Sequence, residues 1–347
     1  MLRLNLLHHS GAAIACFTST FQNPCWSVCK SWKSKISNLQ FIQGHIDISN
    51  KKPASILKLF LPNGGDNMAR ITRENFAKLN LPTHGNTMYR FMRSCNGLVC
   101  LANAYGNLIQ LWNPTTRQSK QILAPEKHSR YHELNLGFGF DSISNDYKIL
   151  MIVRSKLSTD GHFTSVLEGK LYSSNADSWK EIHVPQSFMS CPIAESVLSI
   201  NGVLYFEGTH GIVSLDLHNE VFGYLLPNSV QHERKLHVLE FEGSVAMVFV
   251  SVSEEPVLSL WTLDDVCGNV SWIKKFNLEA DLRIDRLVLY LGVGQFVAFN
   301  SDIGYIFYDY KKKETRQFPL PTRAREAMLI VKYIESLVSL EGFEQLE

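Results

Sequence analysis

Seven cysteines, 12 histidines and 33 acidic side chains could supply metal or acid–base chemistry, and their spacing decides whether they do. Cys25 and Cys29 have three residues between them, with His8 and His9 upstream. A zinc site wants two spaced ligand pairs, whereas these histidines are adjacent and the cysteines lie in or beside a helical apolar pattern, so buried thiols are the better reading. Asp264 and Asp265, Glu254 and Glu255, and Asp281 with Asp285 could pair for acid–base work. They sit among turn-forming residues, where charge is ordinarily solvated. No G-x-S-x-G elbow, P-loop or H-E-x-x-H occurs. The GVGQFV run from Gly292 lacks the third glycine of a dinucleotide loop and leads into strand-like sequence. Lys311, Lys312, Lys313 and Arg316 are offset by Glu314 at a hairpin tip and read as a solvated turn. Trp112, Trp179, Trp261 and Trp272 recur at equivalent repeat positions and read as core stacked between repeats rather than as a ligand cage. The sequence therefore predicts no catalytic residue, no metal and no cofactor.

The bulk numbers agree with a binding protein. Thirty-four Lys and Arg against 33 Asp and Glu leave a net charge of +1 over 347 residues, so no overall field draws nucleic acid or an anionic membrane. No stretch reaches the ~20 apolar residues of a spanning helix. The N-terminal LRLNLLHHSGAAIACF is interrupted by His8, His9 and Ser10, which leaves it short for a signal-peptide core. An odd cysteine count inside apolar runs, as at Cys95 and Cys100, points to a reducing compartment, the cytosol or nucleus.

The positioning elements are visible as a repeat. LIQLWNPTTRQSKQILAP from 108, KLYSSNADSWKEIHVP from 170, IVSLDLHNEVFGYLLP from 212, LSLWTLDDVCGNVSWIKKF from 258 and YIFYDYKKKETRQFPLP from 305 share one grammar. An alternating apolar strand is followed by a polar tip and a second strand. The copies start 62, 42, 46 and 47 residues apart, the period of four-stranded propeller blades. Gly-containing apolar segments precede each copy, and their continuous apolar character suits inner strands. ILKLFL from 56 and MLIVKYIESLVSL from 328 are candidate strands for closing a sixth blade. The expected fold is mainly β, a kelch-like β-propeller of about six blades spanning 54–342. Radial closure removes the exposed edges of such a stack.

Ahead of it, Val28, Trp32, Ile36 and Leu39 fall at helical spacing, with Ser27 as N-cap and Lys30, Lys33 and Lys35 on the other face. The stretch SVCKSWKSKISNLQFIQGHI resembles the last part of an F-box. SCNGLVCL at 94, LWNPTTRQ at 111, LGFGFDSISNDYKIL at 136, YSSNADSWKEI at 172, SINGVLYFEG at 199, LWTLDD at 260 and YIESLVSL at 333 resemble the F-box-associated domain of the large plant F-box family. The resemblance implies a substrate receptor of a cullin-RING ubiquitin ligase, with 1–26 an atypical N-terminus and 27–48 a partial F-box helix. It implies that Val28, Cys29, Trp32 and Ile36 contact the ligase's adaptor subunit while the β-domain captures an unidentified target protein. The same chain with an incomplete F-box would act as a non-ligase scaffold or competitor, because 2–24 places Gly, Ser, Thr and Pro where the family has helices. Loops carry specificity on such scaffolds, and His128, Arg130, Tyr131 and His132, in the insertion between the first two repeats, are the candidate target contacts.

Overall fold

The computed structural model describes residues 38–50, 54–60, 67–72, 76–82, 89–103, 106–125, 133–159, 162–190, 197–208, 211–226, 233–251, 257–266, 269–278, 284–318 and 329–345. They form six antiparallel sheets. Blade 2 holds β4 (Tyr89–Cys95), β5 (Leu98–Asn103), β6 (Leu108–Asn113) and β7 (Gln118–Leu123). Blade 3 holds β8 (Glu133–Asp141), β9 (Asp146–Thr159), β10 (His162–Ser173) and β11 (Ser178–Ile182). Blade 4 holds β12 (Val197–Ile200), β13 (Val203–Glu207), β14 (Ile212–Asp216) and β15 (Val221–Leu225). Blade 5 holds β16 (Glu233–Phe241), β17 (Ser244–Ser251), β18 (Leu258–Val266) and β19 (Asn269–Leu278). Blade 6 holds β20 (Arg286–Gly292), β21 (Gln295–Asn300), β22 (Gly304–Asp309) and β23 (Glu314–Gln317).

Blade 1 draws on both ends of the described body. Its order is β24 (Leu329–Tyr333), β1 (Ser55–Phe60), β2 (Asn67–Ile71) and β3 (Phe76–Leu79). Register runs from Ser55 opposite Tyr333 to Leu59 opposite Leu329, so the two segments anticipated as closing strands do close the ring. The innermost strands β24, β4, β8, β12, β16 and β20 neighbour one another in that cyclic order. The fold is a six-bladed β-propeller.

Six apolar clusters fill the six gaps between blades. Leu57, Met68, Val99 and Trp112 join blades 1 and 2, and Ile109, Leu136, Phe138 and Ile149 join blades 2 and 3. Leu150, Phe188, Leu204 and Leu215 follow between blades 3 and 4, then Ile212, Val245 and Met247 between 4 and 5. Phe241, Leu260 and Phe296 fill the next gap, and Ile56, Ile71, Val297 and Phe307 the last. Each blade is thus apolar on both faces, which explains the continuous apolar runs of its middle strands. The glycine-containing segments read from sequence as inner strands are, in four blades, the turn and second strand; the strand preceding them is innermost.

Two turn designs repeat. Inner and second strands are joined by two-residue turns with both φ values positive: Asn96–Gly97 (46° and 79°), Asn201–Gly202 (50° and 79°), Glu242–Gly243 (51° and 81°) and Val293–Gly294 (53° and 81°). These are type I′ geometries, whose twist matches paired strands. Elsewhere a side chain caps the turn two residues on: Asn113 accepts from the Thr115 N–H (2.9 Å), Asp141 from Ile143 (3.0 Å), Asp216 from His218 (2.8 Å), Asn300 from Asp302 (2.8 Å) and Asp309 from Lys311 (3.1 Å). Four residues after each cap the backbone is left-handed, at Arg117, Asn145, Glu220, Gly304 and Lys313. The basic tip and the GVGQFV run are therefore hairpin turns.

One α-helix stands among the described residues, α1 (Leu39–Asn50). Asn38 is its N-cap, accepting from the Gln40 N–H at 2.8 Å. The helix expected over 27–48 overlaps α1, and its residues before Asn38 lie outside the described residues. Gly44, three isoleucines and the final Ser and Asn are poor helix formers. Packing sustains α1 instead: Ile42 and Ile46, one turn apart, join the cluster between blades 2 and 3.

Two stability outcomes follow. Asn113 is fully buried and donates to the carbonyls of Ser336 (3.0 Å) and Val338 (2.8 Å) while capping its own turn. Asn113→Ala should lower stability by about 2–4 kcal/mol, because buried carbonyls lose their donors. Asn113→Asp, which keeps the cap but turns a carboxylate toward both carbonyls, should do no better in urea unfolding. Val293 is a β-branched residue at φ 53° with a largely exposed side chain. Val293→Asn should raise stability by about 1 kcal/mol, since left-handed backbone costs roughly 1–2 kcal/mol per L-residue and Asn tolerates it best.

Candidate functional site

The meander gives the propeller two unlike ends. At the first end the inner strands terminate in their two-residue turns, and the tips of the third-to-fourth-strand hairpins lie beside them. At the second end the chain passes from each blade to the next, so the blade-to-blade connections, including 124–132, 183–196, 226–232 and 279–285, all begin and finish there. The caps of the resembling motifs gather at the first end. Gly97, at φ 79°, has no room for a Cβ against Ser336 and the Ile334 carbonyl. Thr115 Oγ1 meets the Tyr333 hydroxyl at 2.7 Å, and Arg70 pairs with Glu335. SCNGLVCL, LWNPTTRQ and YIESLVSL thus converge on ring closure. In blade 3, Asp146 accepts from the hydroxyls of Ser173 (2.6 Å) and Ser174 (2.9 Å), tying the LGFGFDSISNDYKIL and YSSNADSWKEI segments together.

Helix α1 lies on this first end. Ile46 is buried in the same cluster as Val338, and Ile42 packs against that cluster, as do Cys95, Phe140, Leu340 and Phe343. Gln43 reaches the mouth of the central channel and accepts no core role; its amide bonds Asp47 at 3.0 Å.

The channel encloses about 690 Å³ and is lined by all six inner strands. Its charged lining comprises Arg93, Glu240, Arg286 and Lys332, with His237 alongside. Lys332 of blade 1 and Glu240 of blade 5 form an ion pair at 2.8 Å that passes the edge of blade 6. Arg93 donates to the Met92 carbonyl at 2.9 Å; burial lowers its guanidinium to about 10, so it stays protonated at neutral pH, and the nearby Cys100 opposes the shift. Burial likewise pushes the Cys100 thiol up to about 12 and the Cys95 thiol up to about 11, Arg93 and Ser199 respectively resisting. Both are free thiols held as apolar, unreactive groups. Among the described residues no cluster of three metal-ligating side chains occurs, and no helix is long and apolar enough to cross a membrane.

A charged knot links blades 3 and 4. Lys148 Nζ bonds the Leu217 carbonyl at 2.5 Å and lies 3.3 Å from Glu220 and 3.5 Å from Asp141. Burial works to raise the Asp141 carboxyl. Hydrogen bonds from Ser144, His218 and the turn amides overcome that and hold it well below the usual carboxylate range.

The anticipated site residues fall differently. Val28, Cys29, Trp32 and Ile36 lie outside the described residues, as do Cys25, His8 and His9. His128, Arg130, Tyr131 and His132 also lie outside them, in the connection that leaves β7 and enters β8 at the second end. Asp264 closes toward the end of β18, and Asp285 caps Ser301 at 2.5 Å, a turn role; Glu254, Glu255 and Asp281 are outside. The tryptophans form two pairs. Trp112 and Trp261 stand on third strands, the first buried between blades 1 and 2, the second under Lys274 at 5.3 Å. Trp179 and Trp272 stand on fourth strands, and each indole N–H reaches the blade before it, to the carbonyls of Leu123 (2.8 Å) and Leu226 (3.1 Å). The channel charges escaped the sequence reading because single polar residues in different strands make no local pattern.

Comparison with known proteins agrees with this geometry. Residues 48–328 match the F-box associated beta propeller domain. An F-box/LRR-repeat protein of Arabidopsis thaliana is 21% identical over 342 residues, covering 91% of this chain and 78% of its own. An F-box/kelch-repeat protein of the same plant is 24% identical, covering 72% and 73%; an F-box protein is 26% identical, covering 84% and 76%. Among solved structures, a chain of the nidogen/laminin complex superposes with a TM-score of 0.43 at 9% identity, covering 81% of this chain and 99% of that one. The tricorn protease gives 0.39 at 10%, covering 81% and 30%. With more than half of its length matched to that domain, the chain belongs to the plant F-box proteins that carry an F-box associated β-propeller.

Proposed function

We propose that this chain is the substrate-recognition subunit of a cullin-RING ubiquitin ligase, acting in the cytosol or nucleus. The observation that carries the reading is the seat of α1. The helix that continues from the F-box-like segment is anchored by Ile42 and Ile46 on the first end of the propeller, which leaves the second end, with its blade-to-blade connections, to face a target. A rigid six-blade body between the two would hold the target at a fixed distance from the adaptor. Target specificity then belongs to connections such as 124–132, and the protein marks its target through the ligase rather than by chemistry of its own.

A second reading is supported by the residues at 2–24, where Gly, Ser, Thr and Pro stand in place of the helix-forming sequence of an F-box. A chain without adaptor contact would bind targets unmarked, as a scaffold or competitor.

Affinity purification of the full chain separates the two. The ligase reading expects the adaptor subunit to co-purify with Val28, Cys29, Trp32 and Ile36 intact, and to be lost on Trp32→Ala with Ile36→Ala. If the chain captures no adaptor while a version preceded by a complete F-box does, the scaffold reading holds for this sequence. In either case, replacing His128, Arg130, Tyr131 and His132 by Ala should reduce target capture by about tenfold or more, as loss of a central contact cluster does, while leaving adaptor capture unchanged.

A further inference from the structure

We propose that the outer edge of blade 4, strand β15, is a docking site for an extended, uncharged segment of a partner protein, which adds to the sheet as a fifth strand. The proposal stands apart from the ligase reading and needs neither the F-box segment nor the second-end connections.

An outermost strand presents unpaired N–H and C=O groups at every second residue, and proteins ordinarily guard such edges with charge, above all Lys. Five of the six outermost strands follow that rule. Strand β3 reads FAKL, β11 SWKEI, β19 NVSWIKKFNL, β23 ETRQ and β25 (Glu344–Gln345), which covers β7 in blade 2, EQ, each with at least one Lys, Arg or Glu. Strand β15 reads VFGYL and has none. It is also apolar where it is open: Val221 is 62% exposed, Tyr224 41% and the following Leu226 64%, with exposed Ile273 on the neighbouring β19. Gly223, in the middle, brings no side chain to obstruct an approaching backbone.

The molecule already contains the complex in another place. Blade 2 is five-stranded because β25 (Glu344–Gln345) lies antiparallel against β7, with Glu344 opposite Ser119 and Gln345 opposite Gln118. An outer blade edge in this architecture therefore accepts an extended segment. That pairing rests on backbone rather than on charge, since the lysine of β7, Lys120, is paired with Asp177 at 2.8 Å; β15 carries no charge of its own, so its occupant is uncharged, with apolar residues at alternate positions to meet Val221 on one face and Tyr224 on the other. A five-residue strand is about 17 Å long, too short an edge to supply the roughly 1,200 Å² at which stable interfaces begin. A segment of a partner held by other contacts fits it better than a second copy of this chain.

The test uses the full chain and a short probe peptide of alternating threonine and valine with lysine at each end, followed by fluorescence anisotropy and amide hydrogen exchange. The probe should bind and slow exchange within β15 but not within β11, β19 or β23. The same peptide N-methylated at alternate amides, which cannot complete the ladder, should not bind the unaltered protein. Val221→Lys and Tyr224→Lys, both at open positions and each checked for unchanged thermal unfolding, should weaken binding by about tenfold or more, or ~1.4 kcal/mol. Equal binding by the N-methylated probe, equal protection of the charged edges, unaltered binding by the Lys variants, or no binding at all would each overturn the proposal. So would concentration-dependent self-association that protects β15 without the probe, which assigns the edge to a second copy. Adaptor capture is unaffected in every arm, so this result and that of the ligase reading are independent.

Discussion

Everything in this molecule depends on the pairing of β1 with β24. Each blade is a sheet with two apolar faces, and it becomes a stable element only when a blade covers each face. Remove the pairing and blade 1 is lost, so the sets around Leu57 and Trp112 on one side and Val297 and Phe307 on the other face water together. At about 25 cal/mol per Å² of apolar surface, that exposure outweighs any single contact elsewhere. Closure joins segments some 270 residues apart in sequence, a long loop whose entropy must be offset by local contacts alone. The side chains at the seam answer that demand. Asn113 holds two carbonyls of the final segment, Thr115 holds Tyr333, Arg70 holds Glu335, and Gly97 leaves the space Ser336 fills. Three stretches that identify the family in sequence are thus one latch in space.

That convergence explains which parts could be read in advance. The hairpin tips were legible because a side-chain cap followed by left-handed backbone restricts residue choice at fixed offsets, as in Asp216 with Glu220 or Asp309 with Lys313. The closing strands were legible as apolar runs outside the five hairpin repeats, one at each end of the series. The identity of the innermost strand was not. RFMRSC around Arg93 is less apolar than the strand after it, since a strand beside a water-accessible channel tolerates charge that a strand between two others cannot. Helix α1 was legible only in its first part: spacing marked residues up to Leu39, whereas the run on to Asn50 is held by Ile42 and Ile46 meeting a surface 45 or more residues further along the chain.

The candidate site was less legible than the fold, and the cause is the division of labour between the ends. At the first end, geometry leaves few substitutions open: turns need positive φ, the latch needs Asn113, and α1 needs an apolar seat. Restriction makes pattern. At the second end, the connections between blades need only reach from one strand to the next, so their residues carry whatever a partner requires and nothing that a repeat would reveal. His128, Arg130, Tyr131 and His132 were singled out because the first repeat interval is long, which is an argument from length and not from chemistry.

The outer edges obey a third logic. Charge on β3, β11, β19, β23 and β25 stands on the outermost strand of each sheet; some of it also pairs within the molecule, as Lys180 does with Glu220, and its common feature is that it discourages another strand from pairing. A selection for solubility alone would guard all six edges alike. The open edge at β15 instead retains Val221, Tyr224 and Leu226 at exposures that cost solubility without adding to the core. Such a departure is explained when something covers the strand, and the tail strand on β7 shows that this architecture accommodates a cover. The same physics that closes the ring, unpaired backbone seeking a partner, then supplies the molecule with a second way of holding one.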